Sequence, residues 1–268
     1  MRSTDNRELA RQADRIELAA FVDMYAAAPP EARAQVEHVA DATLLIAPAL
    51  PLGLFNRAIG LATIRAACDR EIAEIAARFE AAGSSKYFIH AGPGSDPSLV
   101  PLLEAHGFSL GQPPYWAKTA LLAEPEPLST DLEVQPIKEA EAAHFAEIIC
   151  AAFGMPPFMH QWIESLARRD GWTAFAAFDA HAMVAGGMRW HGDEGAWLGM
   201  AGTLPEARGR GAQGGLLRAR SADASGLVIT ETWVPPVGGH NTSFANMHRA
   251  GFVTIAERAN YQKRQANG

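Results

Sequence analysis

The chain has 268 residues, 48% of them apolar and 20% charged, with a net charge of −7; this is globular composition, long enough for one large or two ordinary domains. The acidic balance argues against nucleic acid as a partner. The longest apolar run, residues 44–55, is broken by Pro48 and Pro51, so no segment reads as a membrane span. The N-terminus is rich in charge and has no signal-peptide core, which leads to the expectation of a soluble, cytoplasmic protein. Two cysteines, Cys68 and Cys150, lie far apart in apolar, helical-looking stretches; they read as buried free thiols, with neither a disulfide framework nor a metal site.

In chain order, Leu9, Ala13, Ile16, Ala20, Phe21 and Met24 fall on one helical face over residues 7–27, and Pro29–Pro30 stop that helix. A strand is predicted at 42–47. A long helix is predicted over 61–82, with Ile64, Cys68, Ile72, Ile75 and Phe79 on one stripe and Gly83 just beyond it. A strand at 87–91 and a helix from Pro97 to Gly107 follow. The stretch 123–131, AEPEPLSTD, has the prolines and small polar residues of an exposed connector. It divides the chain into an N-terminal α/β domain, 1–122, and a C-terminal domain, 132–268.

The second domain begins with a strand at 132–137 and helices at 140–153 and 159–168. Strands at 172–178, 183–190 and 196–201 follow, joined by short turns as in an antiparallel meander. A glycine-arginine loop, 205–215, leads into a helix to 224. A strand at 227–233, a helix at 243–250 and a last strand at 253–263 complete the chain. Strand, helix, Gly-Phe and strand recur in the two halves, at His106-Gly107-Phe108 and at Ala250-Gly251-Phe252. Duplication and chance recurrence both account for this echo.

The chemistry concentrates where the third strand of the meander ends at Ala201-Gly202-Thr203. Arg208-Gly209-Arg210-Gly211-Ala212-Gln213-Gly214 then opens a helix carrying Leu216 and Leu217. A helix N-terminus offers unpaired N–H groups and a positive dipole end, suited to phosphate, and arginine pairs well with phosphate oxygens. A solvated glycine turn is the bland alternative. Other phosphate loops fit worse: the Gly-Lys-Ser/Thr of a Walker loop is missing, and a dinucleotide fingerprint forced onto Gly209, Gly211 and Gly214 meets antiparallel upstream strands and no following strand with a ribose-binding acid.

This loop resembles the acetyl-coenzyme A loop of the GCN5-related N-acetyltransferases, Gln/Arg-x-x-Gly-x-Gly/Ala, with Gln213 departing from the usual small residue. The resemblance covers about residues 131–264. It implies an α/β (α+β) fold with a mixed, mostly antiparallel twisted sheet flanked by helices, and a degenerate N-terminal copy if the chain is duplicated. It implies acetyl-CoA as cosubstrate, held by the amides of Arg210 to Gly214 with Arg208 and Gly209, and by the strand edge Ala201–Thr203. A backbone N–H near Met200 would face the thioester oxygen. Asn241 and Asn246 match the family's later motif, although Asn241 also suits a helix N-cap. The family's usual acid, a tyrosine, aligns with Met247; His248 and Tyr261 are substitutes. Glu231, between Ile229 and Trp233 on one strand face, is the candidate base, its carboxyl raised by apolar neighbours. Phe153, Met155, Phe158, Trp162, Trp190 and Trp197 would wall an acceptor pocket for a small-molecule amine, or simply pack the core. The resulting expectation is direct acetyl transfer to an amine by a monomer or homodimer. The alternatives are a non-catalytic acyl-CoA-binding module and a protein N-terminal acetyltransferase.

Overall fold

The computed structural model describes residues 3–264. They form two compact units: residues 3–118 with 255–264, and residues 119–254. The connector therefore belongs to the second unit. The last strand is shared along its length, because its residues 259–261 pair with the first unit's Ile89–Ala91.

The first unit opens with α1 (Ser3–Ala26), followed by β1 (Gln35–Val39), β2 (Ala42–Ile46) and β3 (Arg57–Ile59). Then come α2 (Asp69–Ala82), β4 (Phe88–Ala91), α3 (Leu99–Ala105) and β5 (Phe108–Leu121). The strand order is β1-β2-β3-β4, then β11 (Phe252–Lys263), then β5. β1, β2 and β3 are antiparallel neighbours, and β3 and β4 are parallel. Leu44, Ile46, Ala58 and Ile89 meet Ile72, Ile75 and Phe79 of α2 in one apolar core.

The opposite side of α1 and the sheet holds a buried ionic cluster. The Glu17 carboxylate receives Lys118 Nζ and a bidentate Arg258 at 2.8 and 3.1 Å, and Arg57 Nη1 stands 3.6 Å away. Asp14 adds a second acid, 3.0 Å from Lys118. His90, beside this cluster, is buried with neither ring nitrogen hydrogen-bonded among the described residues. Its burial, together with the Arg258 and Arg57 charges, holds its pKa well below the ordinary value, so the ring is neutral.

The predicted helix 61–82 is shorter than expected. Residues 61–68 form a loop, Ile64 is 85% exposed, and Cys68 is an exposed N-cap residue rather than a buried thiol. The cause lies across the chain. Asp41 Oδ1 accepts from the Ala62 N–H at 3.1 Å, and Asp41 Oδ2 accepts from the N–H groups of Thr63 and Ile64 at 2.8 and 3.0 Å. These amides turn to a carboxylate instead of to helical carbonyls.

The second unit contains β6 (Glu133–Pro136), α4 (Ala142–Phe153), α5 (Phe158–Ala167), β7 (Trp172–Asp179), β8 (Ala182–Gly192) and β9 (Gly195–Thr203). It continues with α6 (Ala212–Ser221), β10 (Leu227–Trp233) and α7 (Thr242–Arg249). The strand order is β10-β9-β8-β7-β6, antiparallel except for the β9–β10 pair. Leu216 of α6 packs on Phe175, Ala177, Val184 and Ala185, while Leu217 joins Leu198, Val228, Met247 and Phe252. The same run recurs in both units: three antiparallel strands, a helix, a strand parallel to the third, and a short helix. The echo in the sequence thus corresponds to a repeated topology.

Candidate functional site

The site is built where β9 ends and α6 begins. β9 pairs with β8 as Met188↔Gly199 and then Gly186↔Gly202, so Met200 and Ala201 together face Gly187 alone. This is a β-bulge, and Met200 takes a left-handed φ of 50° within it. On its other side β9 pairs with β10 only from Gly195↔Leu227 to Leu198↔Thr230. Both strands continue, β9 to Thr203 and β10 to Trp233, but unpaired with each other. An opening therefore begins at the bulge. Glu231 stands one residue past the last pair on β10, half-buried.

Beyond Thr203 the chain makes a short 3-10 turn at Pro205–Ala207 and enters the loop. Gly209 and Gly211 both take φ 81°, a conformation that costs L-residues with a Cβ. At Gly211, the N-cap of α6, a Cβ would also stand 2.5 Å from the Ser129 carbonyl oxygen, so the connector can cross here only because the side chain is missing. The Gly215 N–H returns to Gly211 O. The six preceding N–H groups, Gly209 to Gly214, donate to no acceptor among the described residues. Six consecutive unspent donors at a helix N-terminus form an anion receptor.

The two arginines of the loop differ in role. Arg210, expected to face phosphate, is committed elsewhere: it is bidentate on Asp131, with Nη2 at 2.6 Å and Nε at 3.2 Å, and its Nη1 donates to Asp179 at 2.6 Å. These bonds, to Asp179 first and Asp131 second, raise its pKa, and both carboxyls are held below their usual range. Thr130 Oγ1 also donates to the Arg210 carbonyl at 2.8 Å. Arg210 thus clasps the loop to the connector and to the end of β7. Arg208 stays exposed, with its Nε on Thr203 O at 3.3 Å. Gln213 donates to Thr203 Oγ1 at 2.9 Å, tying the first turn of α6 to the end of β9.

Asn241 is the N-cap of α7. Its Oδ1 accepts from the Ser243 and Phe244 N–H groups at 2.9 and 3.3 Å, and its Nδ2 donates to Thr232 Oγ1 and Trp233 O at 3.1 and 2.6 Å. It fixes the free end of β10, the capping role its position suggested. Asn246 accepts from Arg249 on the same helix. Met247 is buried with Leu217 and Phe252, and His248 is exposed beside Phe244. Tyr261 belongs to the first unit, 5% exposed in its apolar core, where burial raises the hydroxyl pKa.

Of the expected acceptor residues, Trp162 is 1% exposed and packs the core. Trp190 pairs with Trp172 and Trp197 toward the other end of β8 and β9, where Trp172 and Trp197 meet edge to face at 6.1 Å. Phe158 is half-buried, and so is Met155. Phe153, 49% exposed, lies against Gly202, where a Cβ would come within 3.2 Å of its ring. Cys150 is half-buried, its thiol pKa raised by burial.

Three residues were not singled out from the sequence. Asp131 and Asp179 form the Arg210 clasp. Arg220 lies on the apolar face of α6, three and four residues from Leu217 and Leu216, and that placement was its signal.

No family model and no curated protein sequence matches the chain. Solved structures do match along most of it. A GCN5-related N-acetyltransferase from Kribbella flavida is 13% identical over 94% of this chain and 95% of its own, with a TM-score of 0.57. A functionally unknown conserved protein from Staphylococcus epidermidis is 15% identical over 88% and 96%, with a TM-score of 0.59. A tandem GNAT protein from the clavulanic acid biosynthesis pathway is 14% identical over 85% and 79%, with a TM-score of 0.56. With its bulged β9, its open β9–β10 pair and its loop-to-helix turn, the chain has the fold of the GCN5-related N-acetyltransferases.

Proposed function

We propose that the chain is an N-acetyltransferase that carries an acetyl group from acetyl-CoA to the amine of a small molecule, using its second unit. The observation that carries this reading is the row of six unspent amides from Gly209 to Gly214. A diphosphate is the class of ligand that such a row, at a helix N-terminus, accepts best. The first unit supplies a contrast. There the loop in the corresponding place gives its amides to Asp41, and Asp96 N–H and Ser95 Oγ bond across to Ala62 and Leu61. Three successive amides of that loop are spent on a carboxylate; the six of the second unit are not.

Acetyl-CoA would supply an acetyl group already activated as a thioester. The residues present fit it. The amides of Gly209 to Gly214 hold the diphosphate, with exposed Arg208 as the nearby cation. The unpaired edge of β9 at Ala201–Thr203 can bond an extended amide chain as an added strand would. The Met200 N–H at the bulge meets the thioester oxygen, where negative charge develops. Glu231, across the opening, takes the proton of the incoming ammonium. Phe153 and Phe158 offer apolar surface to the acceptor.

A second reading, a coenzyme-binding module without turnover, draws on Met247, a core residue that cannot donate a proton at the position the family resemblance gives to the acid. Isothermal titration with acetyl-CoA tests the binding claim, and free-thiol release across an amine panel separates the two readings. Gly209→Asp is the informative variant. Nothing lies within 4 Å of a Cβ there and φ is 81°, a conformation aspartate tolerates better than most residues. Its carboxylate should repel the diphosphate and weaken binding about ten-fold or more, roughly 1.4 kcal/mol. Wild-type affinity in this variant would remove the loop from the mechanism.

A further inference from the structure

Arg220 is an anomaly of the second unit. It is 1% exposed, and no carboxylate stands within ion-pair distance of it among the described residues. Its environment lowers the pKa to about 9, through loss of hydration alone. An uncompensated buried cation is costly, so its surroundings matter. Nε donates to Leu216 O of its own helix at 3.0 Å. Nη1 donates to Met188 O at 3.2 Å and to Gly199 O at 3.1 Å, the two carbonyls facing each other just before the bulge. Room for the guanidinium exists because residue 187 is glycine; a Cβ there would lie 2.8 Å from Arg220 Cζ.

The Gly199 carbonyl belongs to the same peptide group as the Met200 N–H. That peptide is trans, since the described chain's one cis bond is Gln112–Pro113. In a trans peptide the N–H points opposite to the C=O. The guanidinium sits on the β8 side, so the Met200 N–H is directed away from β8, toward the side where β9 and β10 no longer pair. A cation on the carbonyl draws electron density from the amide and strengthens its N–H as a donor, as cooperative hydrogen-bond chains do.

Resting on the acetyltransferase reading above, we infer that Arg220 is a positioning residue: by holding and polarising the Gly199–Met200 peptide, it aims and strengthens the N–H that meets the thioester oxygen. The arrangement joins two functions in one helix. The N-terminus of α6 receives the diphosphate, and its penultimate residue tunes the donor at the reacting end.

The test uses the full-length protein and acetyl-CoA carrying 13C at the thioester carbonyl, observed by isotope-edited infrared spectroscopy, with affinity measured by calorimetry. Bound to wild type, the carbonyl stretch should fall below its value in free acetyl-CoA. In Arg220→Met more than half of that fall should be lost while Kd stays within about three-fold, because the loop amides are untouched. Arg220→Lys, which keeps a cation on the carbonyls, should recover part of it. In free protein labelled with 15N-methionine, the Met200 amide proton should move upfield in Arg220→Met. An equal fall in wild type and Arg220→Met would overturn the inference. So would a bound wild-type complex with an unshifted carbonyl, a result that stands even if no variant folds. Failure of wild type to bind acetyl-CoA is a different result: it ends the coenzyme reading itself and takes this inference with it.

Discussion

Replacing Asp41 by alanine removes the carboxylate that accepts from three successive main-chain amides, Ala62 to Ile64, in the 61–68 loop of the first unit. Three main-chain donors are involved, at 2.8, 3.0 and 3.1 Å, with Thr63 Oγ1 at 3.5 Å. A hydrogen bond to a charged group contributes about 1.5–3 kcal/mol. The three share one carboxylate, and the Ile64 amide is exposed enough for water to replace its partner, so the values do not add. The expected loss is about 2–3 kcal/mol, or roughly 6–12 °C in melting temperature for a unit of this size. Asp41→Asn keeps one accepting oxygen and should lose about half as much. Urea melts followed by far-UV circular dichroism measure both. A second consequence is specific to the reasoning: once vacated, the amides of Ala62, Thr63 and Ile64, beside left-handed Gly60 and Ala62, form an anion-binding concavity. Sulfate should then raise the melting temperature of Asp41→Ala more than that of wild type. A variant within about 0.5 kcal/mol of wild type, with no added response to sulfate, would refute the idea that a side-chain anion fills this loop.

Glu17→Gln should be the more damaging change, by about 3–5 kcal/mol, because Lys118, Arg258 and Arg57 would keep their buried charges without the carboxylate on which they converge; chemical denaturation of the variant, with Asp14→Asn as a milder comparison, checks this. The Arg210 clasp predicts a pH dependence. Asp131 and Asp179 have folded pKa values below their unfolded ones, so their contribution is full above the ordinary carboxylate value near ~3.9 and is lost as pH falls through the lower folded values. Exchange protection of the Ala207 and Arg208 amides, which donate to Leu204 O and Pro205 O, should therefore be level from neutrality to about pH 5 and fall only in stronger acid, and the acid fall should vanish in Arg210→Ala.

Much of the architecture was legible in the sequence because it rests on local periodicity. The helix through Ile16, Ala20 and Met24, the meander from Trp172 to Ala201 and the Gly-Arg turn into Leu216–Leu217 follow from residue spacing and from the few residues that permit left-handed backbone. Asn241 was legible as a cap for the same reason, since its partners lie two and three residues ahead. The 61–82 helix was misread because its first third satisfies a helical stripe, and the residue that breaks it, Asp41, lies more than twenty positions away.

The second unit divides along the same line. The sequence alone determined that a row of amides would stand at the start of α6, because glycine spacing and helix polarity are local properties. Whether those amides stayed free was a tertiary question, as was the turning of Arg210 from a phosphate ligand into a clasp on Asp131 and Asp179. Only the folded chain placed Arg220 on the carbonyl behind Met200, buried Met247 and Tyr261 in separate cores, and left Phe153 beside Gly202. Hydrogen bonds and charges act over a few ångströms of space, and a one-dimensional pattern carries no record of which distant groups the fold brings within that range.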